Sequence, residues 1–143
     1  MAARISEVFA IEIEQFIKIL NQIDYHLFEI ENAITNEFYT KRDVIKELRY
    51  TSELVEELKG VFSLIIEQAK KYRPSNALLF NYLKIINEYL KKLNLSIQIA
   101  EVAYERDPDY GIKGVYKDVT NSRRYIKLIK KELDTAIQQR VFA

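Results

Sequence analysis

The sequence predicts an all-α protein, an antiparallel up-down-up-down four-helix bundle. Three observations predict it. Apolar residues recur at alternating steps of four and three in four separate runs, which lines each run up on one stripe of a helix. The breaks between runs are short. Only three glycines and two prolines interrupt 143 residues, so the elements are few and long. Four stripes of this kind escape water most economically against one another.

The first helix is expected over about residues 6–37. Its stripe is Phe9, Ile13, Phe16, Leu20, Ile23, Leu27, Ile30, Ile34 and Phe38. Ser6 can cap it, and Glu7 suits the positive end of the helix dipole. The second is expected over 41–72, with Val44, Leu48, Val55, Leu58, Phe62, Ile65, Ala69 and Tyr72 inward and Thr51 in the one polar slot. Thr40 with Asp43 resembles a capping box. Pro74 ends this helix, because the residue before a proline avoids the helical region.

The third helix is expected over 76–106, capped by Ser75, with Leu79, Tyr82, Ile86, Tyr89, Leu93, Ile97, Ala100 and Tyr104 inward. Asp107-Pro108-Asp109-Tyr110-Gly111-Ile112-Lys113-Gly114 has the residues of a turn. The fourth helix is expected over 115–141, with Val119, Ile126, Ile129, Leu133 and Ala136 inward. Three short connections make consecutive helices antiparallel neighbours within a single domain spanning 1–143. Two long hairpins exchanged between chains would bury the same stripes.

Composition narrows the class. Hydrophobic residues make up 48% and charged residues 30%, which excludes disorder. No cysteine means no disulfide, no thiolate metal site and no thiol catalysis, and favours an intracellular protein, with a virion component as the alternative. The opening residues carry no secretion-signal pattern, and nothing approaches the ~20 apolar residues of a membrane span. Heavy use of Ile and Tyr is in keeping with a thermophilic source.

Chemistry is sparse. A carboxylate-bridged metal pair in a bundle needs Glu-x-x-His on two helices. This chain has one histidine, His26, preceded at that spacing by Ile23. With Glu29 it gives only the reverse order, and His26 is expected at the surface or the core boundary. A Ser–His–Asp triad would need the same His26, and no nucleophile elbow is present. Gly111-Ile112-Lys113-Gly114 lacks phosphate-loop spacing. Asn94-Leu95-Ser96 matches a glycosylation acceptor but falls mid-helix. Paired carboxylates such as Glu56-Glu57 and Glu29 with Glu31 are expected on solvated faces. The expectation is a non-enzymatic protein with no cofactor and no metal.

Charge says more. Residues 1–38 carry seven acids against two bases, a net of −5, and residues 115–143 carry seven bases against three acids, a net of +4. A near-neutral total thus hides a polarised molecule. Arg123, Arg124, Lys127, Lys130 and Lys131 form a basic strip over about two turns. It either balances the acidic first helix or contacts an acidic partner, protein or nucleic acid. Ten tyrosines spread over the chain suit a core boundary, and Tyr72, Tyr110 and Tyr116 fall near bundle ends.

A second apolar line lies off the main stripes. It comprises Ile11, Ile17, Ile19 and Phe28 on the first helix, Val61 and Ile66 on the second, and Leu83, Ile85 and Leu90 on the third. It exceeds what an isolated bundle hides and points to a homo-oligomer or a protein partner. In size, helical patterning, Ile/Tyr/Lys/Glu bias and lack of cysteine, the chain resembles small four-helix-bundle proteins of archaeal viruses. That group includes virion components and an inhibitor that occupies the DNA channel of host RNA polymerase. The resemblance implies a contact surface on the basic strip or the acidic first helix.

Overall fold

A computed structural model describes residues 4–143. It contains α1 (Glu7–Thr35), α2 (Lys41–Tyr72), α3 (Ala77–Arg106) and α4 (Ile112–Gln138), with no strand among the described residues. Each helix packs against two others, in the ring α1–α2–α3–α4–α1, and in the diagonal pairs no Cα atoms come within 8 Å of each other.

Named contacts fix the directions. Phe16 meets Phe62 while His26 meets Glu47, so α1 and α2 run opposite ways. Arg49 reaches Glu105 while Lys59 shares a groove with Asn87, Leu90 and Asn94, which makes α2 and α3 antiparallel. Asp24 meets Arg123 while Phe9 meets Phe142, so α1 and α4 oppose each other too. The up-down-up-down order follows.

Caps explain the helix starts. Ser6 Oγ accepts from the Val8 amide at 3.5 Å and Thr40 Oγ1 from the Asp43 amide at 3.1 Å. The cap of α3 is Asn76, not Ser75: Asn76 Oδ1 accepts from the Leu79 amide at 3.0 Å. Helix α4 begins at Ile112 rather than at 115, because Gly111 in extended conformation precedes it and Tyr110 braces the turn. The Tyr110 ring fills the space a Cβ on Gly114 would need, with Cε2 only 2.7 Å from that position. Helices α1 and α4 both close with a residue in the left-handed region, Glu37 (φ 53°) and Arg140 (φ 59°). The amides of Phe38 and Val141 then turn back to the carbonyls of Ala33 and Ala136, a Schellman closure at both sites.

One apolar core runs the length of the bundle. The inward stripes expected for α1, α2 and α4 are buried, except that Ile34 is only partly covered and Phe38 and Tyr72 are exposed; Phe38 is 87% exposed. Phe38 lies beyond the last helical turn, so the helical period no longer aims it inward. In α3 Leu83 and Leu90 are buried in place of Tyr82 and Tyr89, which are half-buried beside them, and the other six expected positions are buried. Ile19 and Val61 are buried as well. Four members of the second apolar line are therefore core. Val141 and Phe142, past the end of α4, fold back to plug the bundle end; the Phe142 ring stands edge-on to Phe9 at 5.3 Å.

Two buried polar residues need no partner from another helix. Thr51 Oγ1 donates to the Glu47 carbonyl at 2.8 Å and Ser122 Oγ to the Asp118 carbonyl at 2.8 Å, each four residues back on its own helix.

Candidate interaction surfaces on α3 and α4

The basic strip on α4 divides in two. Arg123 turns into the α1–α4 seam and is only 25% exposed. Its guanidinium grips Asp24 (Nε to Oδ1, 3.0 Å) and Glu31 (Nη1 to Oε1, 2.9 Å), and lies 5.3 Å from the centre of the Phe28 ring. The hydrogen bond to Asp24 does most to hold its proton more tightly than usual; burial opposes this and Glu31 adds to it. Arg123 is thus a structural clamp, and Glu31 lies in the seam rather than on a solvated face.

Arg124, Lys127 and Lys131 point to solvent, and Lys130 is half-buried. None of the four has an ion-pair partner among the described residues. Arg124 rests on the ring of its neighbour Tyr125. The structure extends this face towards the N-terminus. Lys113, Lys117, Thr120, Arg124, Lys127 and Lys131 recur at steps of four and three, and all are exposed. They form a stripe about 27 Å long. Its spacing was readable from the sequence, but starting the helix at 115 cut off Lys113.

A second surface runs along α3. Its inward stripe is Leu79, Leu83, Ile86, Leu90, Leu93, Ile97, Ala100 and Tyr104. On the opposite side Leu78, Asn81, Ile85, Glu88, Lys92, Leu95, Ile99 and Val102 recur at steps of three and four, and every one is exposed. Five are large and apolar, from Ile85 at 40% to Leu95 at 57% exposed. Helix α3 thus carries two seams, and only one is used inside the fold. Of the second-line residues expected on α3, Ile85 belongs to this outer seam. Ile11 and Phe28 are exposed on α1, Ile17 and Ile66 half-buried.

The one histidine sits beside other titratable groups. His26 Nδ1 contacts Glu47, with Tyr25 and Tyr50 standing edge-on to the imidazole at 5.4 and 4.7 Å. A hydrogen bond from Tyr25 to Glu29 holds the Tyr25 phenol above its usual pKa. No three His, Asp or Glu side chains come together as a metal set among the described residues. An open groove of about 1000 Å³ between α2 and α3 is lined by Lys41, Arg42, Lys46, Arg49, Glu53 and Glu105. Its guanidinium at Arg49 is already paired with Glu101 at 3.5 Å and Glu105 at 2.7 Å. Asn94 is half-buried within α3, and its Oδ1 has no hydrogen-bond partner. No helix among the described residues is long and apolar enough to cross a membrane. No protein-family model, curated protein or solved structure matches the chain.

Proposed function

We propose that this protein is a non-enzymatic structural or interaction module that self-associates through the outward face of α3. The observation that carries the reading is the exposed stripe Leu78, Ile85, Leu95, Ile99 and Val102 on one side of a single helix. An isolated bundle has no use for it: exposed apolar side chains in a line favour partners, and a helical seam favours another helix. Ile85→Glu with Leu95→Glu places two charges in this seam without touching the core. Light scattering over a concentration series is expected to show the parent chain as an oligomer and the variant as a monomer of unchanged helicity. A parent chain that stays monomeric at several hundred micromolar would falsify the reading.

A second reading is supported by the α4 stripe of Lys113, Lys117, Arg124, Lys127 and Lys131, none of which has an ion-pair partner among the described residues. In it the protein regulates or inhibits a nucleic-acid-handling machine such as RNA polymerase, or binds nucleic acid itself, by presenting positive charge to an acidic surface. The likeness to bundle proteins of archaeal viruses is in keeping with this. Retention on heparin that weakens steeply with salt, and that Arg124→Glu with Lys127→Glu abolishes, is the expected result. Passage through the column at low salt removes this reading and leaves the first untouched.

A further inference from the structure

The outer seam of α3 has an internal symmetry, and it selects an occupant. We infer that the seam binds a second copy of this chain, antiparallel, about a two-fold axis level with Leu90. This rests on the self-association proposed above and adds the partner's register.

The order along the seam carries the argument. Leu78, Ile85, Lys92 and Ile99 are seven residues apart, and so are Asn81, Glu88, Leu95 and Val102. These two sets occupy the a and d positions of a heptad, and antiparallel seams pair a with d. Turned about Leu90, Leu78 meets Val102 of the second copy, Ile85 meets Leu95, Glu88 meets Lys92, and Asn81 meets Ile99. The two-fold axis makes each pair twice. Apolar contacts thus flank a central pair of opposite charges over about 36 Å of helix. Among the described residues Lys92 has no ion-pair partner, while Glu88 has an exposed contact to Lys91 at 3.6 Å.

Other alignments lose this match. A parallel pairing sets Glu88 on Glu88 and Lys92 on Lys92. Sliding one helix of the antiparallel pair by one heptad sets Glu88 against Ile85 or Ile99, and Lys92 against Asn81 or Leu95. Charged residues within a seam act mainly by penalising such wrong registers.

Charge reversal in the full chain tests the register, with sedimentation equilibrium as the readout and circular dichroism to monitor folding. Glu88→Lys alone and Lys92→Glu alone each bring like charges together and are expected to weaken the dimer by roughly tenfold or more. The double reversal recreates two opposite pairs and is expected to restore dimerisation. Failure of the double to recover, with both singles impaired, would overturn the antiparallel register. If all three variants dimerise like the parent, the α3 register falls while self-association stands; a monomeric parent removes both.

A second variant decides the matter even if a reversal disturbs α3. The parent has no cysteine, so Ile85→Cys with Leu95→Cys introduces the only two. They lie about 15 Å apart along one helix and cannot bridge within a chain. Mild oxidation is expected to give a covalent dimer, and a purely monomeric product counts against the pairing.

Discussion

The two faces of α3 share one spacing and meet opposite fates. The inner seam is apolar at every position from Leu79 to Tyr104 and is sealed by the other helices. The outer seam has the same steps but is interrupted by Asn81, Glu88 and Lys92, and it stays in water. Periodicity therefore nominates a buried face, and continuity elects it. The interruptions also keep the outer line from becoming a general adhesive, because each charge must meet its opposite.

The sharpest way to break this comparison is to truncate one residue on each seam. Leu90→Ala opens a cavity in the core and is expected to cost about 2–5 kcal/mol in urea unfolding. Ile85→Ala is expected to leave the monomer's stability within about 0.5 kcal/mol, since it removes only an exposed side chain. Equal costs would mean that the outer seam is covered within a single chain.

Alkaline titration probes the end of the inner seam. Burial, aided by the hydrogen bond to Asp118, raises the Tyr110 pKa well above its usual 10. The folded chain therefore holds a proton that the unfolded chain releases as pH rises past about 10. The stabilisation is fully present below that pH and is lost above it. Between pH 10 and 12 the parent chain is expected to lose stability faster than Tyr110→Phe, by at most about 1.4 kcal/mol per pH unit. Parallel curves for the two would mean that the phenol is no better protected than in the unfolded chain.

The smallest effect comes from two helical glycines that repeat the inner–outer contrast. An added methyl at Gly60 meets nothing within 4 Å, whereas one at Gly114 runs into the Tyr110 ring. Gly60→Ala is expected to raise stability by about 0.5–1 kcal/mol through helix propensity alone. Gly114→Ala is expected to lower it, and calorimetry of the pair settles the signs.

Most of the fold was legible because the inward stripes are long and nearly unbroken. What escaped the sequence has physical causes. On α3 the two seams overlap in composition, so Tyr82 and Tyr89 stood in for Leu83 and Leu90, and of the outer seam only Ile85 was picked out. Phe142 escaped because it packs after the helix has ended, where no period applies. Ser75 and Asn76 are both good caps, and backbone geometry chose between them. Among the candidate site residues, Arg124, Lys127 and Lys131 face outward as a basic strip should. Arg123 does not, because charge spacing reveals which bases are neighbours but not which acids on another helix claim them.

The closure at Ser6 and Phe142 has a consequence of its own. The Ser6 amide donates to the Phe142 carbonyl at 2.6 Å, so the first turn of α1 and the tail after α4 share one end of the bundle. A short flexible bridge could splice the two, and the backbone could be reopened between Asp107 and Gly111. The helix order would become α4, α1, α2, α3 with every interhelical contact retained. The outer seam of α3 would then sit on the final helix, where fusions and labels could be placed beside it.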